Sequence, residues 1–105
     1  MMTAQERAKL RSLSCSLKDL VFIGKEGITA NILTQINDNL YAHELIKIKV
    51  QRTVNDSITR MAREICDNCK CELVGVIGNK ILVYKPTEKP KFAHLLDNYK
   101  YYIEN

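Results

Sequence analysis

Residues 20–50 read LVFIGKEGITANILTQINDNLYAHELIKIKV, and this stretch decides the fold of the 105-residue chain. Its first four residues, LVFI, form a short apolar run whose length and β-branched content predict a buried strand. The glycine-bracketed tetrapeptide at residues 24–27 ends that run, and Thr29 can then cap a helix. Residues 44–50 alternate apolar and charged side chains, which predicts a second strand. The stretch therefore predicts a strand, a loop, a helix and a strand, in that order.

The loop Gly24-Lys25-Glu26-Gly27 has the composition of an anion-binding turn. Two glycines allow a sharp bend and a close approach of the backbone to another molecule. The loop leads into a helix N-terminus, where free N–H groups and the helix dipole favour anions, and Lys25 adds a positive charge at the tip. An ordinary strand-to-helix turn can have the same composition, so G-x-x-G by itself is a weak signal. The loop is therefore a candidate phosphate site.

Length and charge narrow the class of protein. A chain of 105 residues is expected to form one domain, and its net charge is +4. Residues 1–52 contain 8 Lys and Arg against 5 Asp and Glu, a net charge of +3, so the positive surplus lies in the half with the loop. That surplus favours nucleic acid mildly. The sequence shows neither an apolar run of membrane-spanning length nor a signal peptide, so we expect a cytoplasmic protein without a membrane partner.

Helices and strands continue on both sides of the central stretch. The predicted elements are a helix from Ala4 to about Ser16, a helix with the apolar stripe Ile58, Met61, Ala62 and Ile65 that Thr53 or Asn55 can cap, strands at 72–77 and 80–85, and a C-terminal helix from Lys91 onward. The order helix, strand, helix, strand, helix, strand, strand predicts an α/β two-layer sandwich with a mixed four-stranded sheet. Residues 1–86 are the expected domain, and residues 87–105 are a partly helical extension.

Basic residues outside the loop form two further candidate sets. The first set, Arg7, Arg11 and Lys18, lies on one side of the predicted first helix. Such stripes are more often solvated helix faces than binding surfaces. The second set, Lys47 and Lys49, alternates with buried residues of the second predicted strand and should therefore leave its opposite face.

The cysteines and histidines favour neither a metal site nor an enzyme. Cys66, Cys69 and Cys71 form one cluster, whereas structural zinc sites usually pair two such knuckles. In a cytoplasmic protein these residues are expected to be free thiols. His43 and His94 have no nucleophile or clustered carboxylate to work with, so we predict no catalytic residues, no metal and no cofactor.

The combined motifs resemble the CRM domain, named for chloroplast RNA splicing and ribosome maturation, whose single-domain bacterial members are the YhbY-like proteins. The resemblance rests on VFIGKEGIT and AHELIKIKV within residues 17–50, and on LVGVIG and ILVYKP in the predicted hairpin. It covers about residues 3–86. It implies a fold similar to the C-terminal domain of bacterial translation initiation factor three. The cysteine cluster and the extension depart from the family pattern.

The resemblance also implies a function. The family's G-x-x-G loop resembles the RNA-clamping loop of KH domains, bacterial members associate with precursors of the large ribosomal subunit, and plant organelle relatives support group II intron splicing. We therefore expect an RNA-binding protein of large-subunit assembly, with ribosomal RNA as its partner and ribosomal proteins as further candidates. The expected RNA-binding residues are Gly24, Lys25, Glu26, Gly27, Thr29, Arg7, Arg11, Lys18, Lys47 and Lys49. Because few exposed aromatic residues are expected on that surface, base stacking should be minor.

An alternative function is left open by the C-terminal extension. Its aromatic residues Tyr99, Tyr101 and Tyr102 could dock on a ribosomal protein or assembly factor, which would make the chain a protein-interaction module.

Overall fold

A computed structural model describes residues 2–51, 57–88 and 90–92 of the chain. Its elements are α1 (Ala4–Arg11), β1 (Asp19–Ile23), α2 (Ala30–His43), β2 (Leu45–Val50), α3 (Ile58–Cys69), β3 (Glu72–Ile77) and β4 (Lys80–Tyr84), with a 3-10 turn at Ser14–Ser16. The predicted order of helices and strands is confirmed over these residues. None of the helices in the described ranges is long and apolar enough to cross a membrane.

The four strands form one mixed sheet in the order β1-β2-β4-β3. The crossover helix α2 joins β1 to β2, which lie side by side and parallel. The β3–β4 hairpin inserts β4 between β2 and β3, antiparallel to both. The α/β class and the mixed four-stranded sheet are therefore confirmed.

The two faces of the sheet are covered to different extents. On one face α2 and α3 bury the main apolar core, which includes Val21, Ile23, Ile36, Ile46, Ile48, Met61, Ile65, Ile81 and Val83. On the other face α1 covers only one end, where Leu10 packs with Leu45, Val74, Leu82 and Tyr84. The expected two layers are thus the sheet with α2 and α3, and α1 adds a partial third layer.

The first helix is shorter than predicted. Its start is a capping box, in which Thr3 Oγ1 accepts the Glu6 amide at 3.1 Å and the Thr3 amide donates to Glu6 Oε1 at 2.8 Å. The helix ends at Arg11 rather than near Ser16. The residues after it are rich in serine, whose hydroxyl groups compete for backbone partners and so favour turns over helix. Ser16 Oγ, for example, donates to the Leu13 carbonyl at 2.8 Å.

The third helix begins after Ser57, whose hydroxyl oxygen accepts the Arg60 amide at 3.4 Å. Ser57 therefore occupies the N-cap position that we had predicted for Thr53 or Asn55, and both of those residues lie outside the described part of the chain.

The predicted strand at residues 20–23 is present, but only one of its faces is buried. Val21 and Ile23 point into the main core, whereas Leu20 and Phe22 are exposed. The reason is that β1 is an edge strand and α1 packs mainly on β3, at the opposite edge. One face of β1 therefore remains open to solvent.

Glu44 joins the end of α2 to the segment that follows β4. It has a positive φ of 72° and ends the helix, although the sequence pattern had placed it in β2. Its fully buried carboxylate accepts the Thr87 amide and hydroxyl at 3.3 and 2.8 Å, and the Lys91 and Phe92 amides at 3.2 Å each. The start of the predicted extension is thereby fixed to the domain, and residues 93–105 lie outside the described residues.

Candidate nucleic-acid interface

The glycine-bracketed loop lies at the end of the sheet where β1 and β2 finish. Ile23 pairs with Val50 there, and the Gln51 amide donates to the Ile23 carbonyl at 2.8 Å. The turn between β3 and β4 lies at the same end, because the Asn79 carbonyl accepts the Val50 amide at 2.8 Å and Asn79 Nδ2 donates to the Val50 carbonyl at 3.0 Å. The loop is therefore supported by the ends of the strands.

The loop itself is a tight turn. The Gly27 amide donates to the Gly24 carbonyl at 3.0 Å, which closes a four-residue β-turn. Gly27 has a φ of +74°, in the left-handed region that favours glycine. Lys25 and Glu26 occupy the two central positions and are exposed at the tip. The loop is thus open to a ligand, as an anion site requires.

Several backbone amides around the loop are available to an anion. Thr29 caps α2 by accepting the Ile32 amide at 3.2 Å. Within the described ranges, no acceptor is recorded for the amides of the turn and first helical residues Lys25, Glu26, Ala30 and Asn31. Lys25, Glu26 and Asn31 also line one groove near the start of α2, where the helix dipole is positive. The Gly27 amide, although Gly27 is one of the expected RNA-binding residues, is not among these donors because it closes the turn.

An open groove of about 520 Å³ runs along the loop. Its lining residues are Gly24, Lys25, Glu26, Gly27, Thr29, Asn31, Ile32 and Gln51. Glu26 contributes a negative charge next to the positive charge of Lys25. Because the other lining residues are neutral, anion binding in this groove depends on backbone amides and on Lys25.

The two lysines of β2 differ, although both lie on the face opposite Ile46 and Ile48, as predicted. Lys49 is exposed. Lys47 is half-buried, and its Nζ donates to the Ser14 carbonyl at 2.7 Å because the 3-10 turn after α1 covers this part of the sheet. The expectation that both ammonium groups are available to RNA is therefore wrong for Lys47. Lys18, just before β1, is exposed.

The two arginines of α1, although both are among the expected RNA-binding residues, do not lie beside the loop. α1 packs on β3, three strands away from the edge strand that carries the loop. Arg7 Nη1 donates to the Met2 carbonyl at 2.9 Å. The Arg11 side chain lies over Gly75 of β3, with its Cδ 3.3 Å from the position that a Cβ on that glycine would occupy. These side chains border the far end of the sheet face.

An aromatic residue that the sequence analysis assigned to the core lies next to the loop. Phe22 is 52% exposed, and its Cε2 lies 3.6 Å from the position that a Cβ on Gly24 would occupy. Few exposed aromatic residues were expected on this surface, and Phe22 is one that the sequence pattern had placed in a buried strand. The exposure of Phe22 could not be predicted from the sequence, because an uninterrupted apolar run is the same whether one or both faces of its strand are covered.

The cysteine cluster contains a close thiol pair. The Cys71 thiol donates to the Cys66 sulfur at 3.8 Å. This hydrogen bond lowers the pKa of Cys66 and raises the pKa of Cys71, which burial raises further. Burial also raises the pKa of Cys69. Over residues 2–51, 57–88 and 90–92, no group of three or more His, Cys, Asp or Glu side chains could hold a metal ion. His43 is exposed in the last turn of α2, and His94 lies outside the described residues.

The chain matches the family model of the CRS1/YhbY (CRM) domain over residues 2–85. It is 32% identical over 95 residues to the Probable RNA-binding protein YqeI of Bacillus subtilis, which covers 90% of this chain and 99% of that protein. It is 29% identical over 89 residues to the Probable RNA-binding protein PA4753 of Pseudomonas aeruginosa, which covers 85% of this chain and 86% of that protein.

A solved structure has the same architecture. The solution structure of the hypothetical protein SAV1595 from Staphylococcus aureus superimposes with a TM-score of 0.76 at 35% sequence identity. The match covers 87% of this chain and 95% of that one. The sequence and structure comparisons therefore each cover most of the chain.

Proposed function

Because the chain belongs to the CRS1/YhbY (CRM) domain family, we propose that it is an RNA-binding protein that acts in assembly of the large ribosomal subunit. Relatives that match most of its length are named as RNA-binding proteins, which supports RNA as the ligand. The proposed role is binding without catalysis. Its proposed place is the cytoplasm, with ribosomal RNA of large-subunit precursors as the partner and ribosomal proteins as further candidates.

The observation that carries this proposal is the open G-x-x-G turn at the start of α2. Lys25 and Glu26 at its exposed tip line the groove, and no acceptor is recorded for their amides among the described residues. A phosphate in that groove would accept hydrogen bonds from the amides and gain from the helix dipole and the lysine charge. Such contacts do not depend on base identity, so affinity should come largely from the backbone and fall steeply with salt.

The basic residues contribute unequally in this proposal. Lys25 and Lys49 are exposed and lie at the loop end of the sheet, so they are the first candidates for phosphate contacts. Lys18 and Arg11 extend the positive surface along β1 and over β3. Lys47 and Arg7 instead hold backbone carbonyls of their own chain, and we assign them a structural part.

Charge reversal at the loop tip tests the RNA-binding site. Lys25→Glu should weaken binding of a structured ribosomal RNA fragment about tenfold, as expected for one lost charge-assisted contact. The slope of log affinity against log salt should become shallower by about 0.7 to 1. Lys70→Glu is the matched control, because Lys70 is exposed at the end of α3, away from the loop. If both variants bind equally well, phosphate binding at the loop is excluded.

The ribosomal part of the proposal needs a separate measurement. The tagged chain should co-sediment with large-subunit precursors in a sucrose gradient, and Lys25→Glu should shift it toward the top of the gradient. A wild-type chain that binds RNA in solution but sediments only as free protein would remove the assembly role and leave RNA binding intact.

A further inference from the structure

Four exposed or half-exposed side chains form a row across the open end of the sheet. The register pairs Phe22 of β1 with Lys49 of β2, Lys49 with Lys80 of β4, and Lys80 with Ile77 of β3. Directly paired residues of neighbouring strands point to the same face of a sheet. The row therefore crosses all four strands on the face that α1 covers only at its other end.

The row leaves an aromatic ring in solvent. Phe22 is 52% exposed and Ile77 is 41% exposed, whereas the paired positions nearer α1 are occupied by the half-buried Lys47 and the buried Leu82. A half-exposed phenyl ring contributes less to the stability of the fold than a buried ring would. An exposed ring next to a lysine on the neighbouring strand is typical of a ligand-binding surface and not of a core.

The charges beside the ring match a polyanion. Lys49 is exposed, and no partner is recorded for its ammonium group among the described residues. The next ammonium group, of Lys80, forms an ion pair with Asp19. An apolar protein partner would have to bury these two lysines at the centre of the row, which is costly without counter-charges. A nucleotide instead offers a flat ring for the phenyl group and a phosphate for the neighbouring ammonium group.

Phe22 is also continuous with the loop. Its Cε2 lies 3.6 Å from the position that a Cβ on Gly24 would occupy, and Gly24 lines the loop groove, so a chain with a phosphate in that groove can reach the ring. On the premise that the proposed RNA-binding function is correct, we propose that Phe22 stacks on an unpaired base of the bound RNA. Lys49 holds the phosphate next to that base. The ligand is then a structured RNA that places an unpaired nucleotide next to the Gly24–Gly27 loop of the protein. A base inside a duplex has no free face on which the phenyl ring could stack.

Two RNA probes with equal numbers of phosphates separate stacking from charge. One is a hairpin with an unpaired loop that contains 2-aminopurine, and the other is a blunt duplex. Wild-type protein should prefer the hairpin, and Phe22→Leu should weaken hairpin binding about 5- to 150-fold, the range measured for loss of one base–aromatic stack. Duplex affinity and the salt slope should not change, since leucine removes no charge. Phe22→Trp should restore hairpin affinity and quench the 2-aminopurine fluorescence.

The control variant is Tyr41→Leu. Tyr41 is an aromatic residue, 82% exposed, near the C-terminal end of α2, about 16 Å along the helix from the loop. Its substitution should leave both affinities unchanged. Because Phe22 is half exposed, Phe22→Leu should fold as well as wild type, which circular dichroism and the retained duplex binding verify.

Distinct results would overturn the two proposals. If wild type binds both probes and Phe22→Leu binds them as tightly, the stacking site is excluded while RNA binding through the loop stands. If Phe22→Leu weakens hairpin and duplex equally, or Phe22→Trp fails to rescue, the ring acts through folding and the stacking site is also excluded. If wild type binds neither probe, the proposed function fails and the stacking site with it.

Discussion

At the scale of single residues, the two glycines of the loop meet different demands. Gly27 has a φ of +74° with nothing within 4 Å of a Cβ placed on it, whereas a Cβ on Gly24 would meet Gln51 Oε1 at 3.5 Å and Phe22 Cε2 at 3.6 Å. Those distances are ordinary van der Waals contacts. Gly27 is therefore required by backbone conformation, and Gly24 tolerates a methyl group.

Alanine substitution distinguishes the two glycines. Gly27→Ala should lower the free energy of unfolding by about 1 to 2 kcal/mol, the cost of a left-handed conformation for a residue with a Cβ. Gly24→Ala should change it by less than about 0.5 kcal/mol. Urea denaturation of both variants measures this difference. Equal destabilisation would show that the turn does not retain its left-handed position in solution.

The thiol pair Cys66 and Cys71, near the end of α3, leads to a prediction about cysteine reactivity. The hydrogen bond from the Cys71 thiol lowers the pKa of Cys66, so Cys66 ionises at lower pH than Cys71, whose pKa that bond and burial raise. Only the thiolate is nucleophilic. As pH rises, alkylation by iodoacetamide should therefore reach Cys66 before Cys71.

Removal of the donor should make Cys66 less reactive at a given pH. In Cys71→Ala the pKa of Cys66 rises, so the midpoint of its alkylation against pH moves upward when followed by peptide mass spectrometry. Alkylation of the exposed Cys15 in the same sample is the internal control and should not move. A midpoint for Cys66 that stays unchanged would mean that the two sulfur atoms do not share a hydrogen bond in solution.

At the scale of elements, Glu44 connects α2, β2 and the segment after β4. Its amide donates to the Leu40 carbonyl at 2.8 Å as α2 ends, and its carbonyl accepts the Lys85 amide at 2.9 Å. Its buried carboxylate accepts the four hydrogen bonds from Thr87, Lys91 and Phe92. The connection after β4 is thus held by the side chain of the residue that directly precedes β2.

Loss of this carboxylate should release the segment. Glu44→Ala leaves buried donors without an acceptor and should lower the free energy of unfolding by about 3 kcal/mol. The amides of Thr87, Lys91 and Phe92 should lose protection in hydrogen exchange, while β4 keeps its protection. Glu44→Gln keeps one acceptor oxygen, so its free energy of unfolding should lie between those of wild type and Glu44→Ala. Full protection of these amides in Glu44→Ala would contradict the contacts described.

At the scale of the whole molecule, partial coverage of one sheet face separates structural from surface lysines. α1 and the 3-10 turn cover one end of that face, and the loop end stays open. Lys47 and Lys49 are two residues apart on the same strand and the same face, yet only Lys49 lies in the open part. The pair is therefore a matched comparison for RNA binding.

Neutralising each lysine should give opposite results. Lys49→Gln should make the salt dependence of RNA binding shallower by about 0.7 to 1 and leave the free energy of unfolding unchanged. Lys47→Gln should leave the salt slope unchanged and lower the free energy of unfolding by about 1 kcal/mol, because its hydrogen bond to Ser14 is lost. Filter binding at several salt concentrations and urea denaturation measure both quantities. A salt slope for Lys49→Gln equal to that of wild type would mean that Lys49 contacts no phosphate.

The sequence by itself determined the order of the elements, the mixed sheet and the turn at residues 24–27. These features depend on residues close together in the chain: the spacing of apolar side chains, the capping oxygen of Thr29 and the backbone freedom of Gly27. Motif order was also enough to identify the family, which the match over residues 2–85 confirms.

Only the tertiary structure decided which side chains are available at the surface. The exposure of Phe22, the different environments of Lys47 and Lys49, and the buried contacts of Glu44 all depend on elements that are distant in sequence. A pattern of apolar residues shows that a strand has a buried face, but it cannot show where a helix on the other face ends. That position is set by the packing of α1 on β3, and it leaves the loop end of the sheet uncovered.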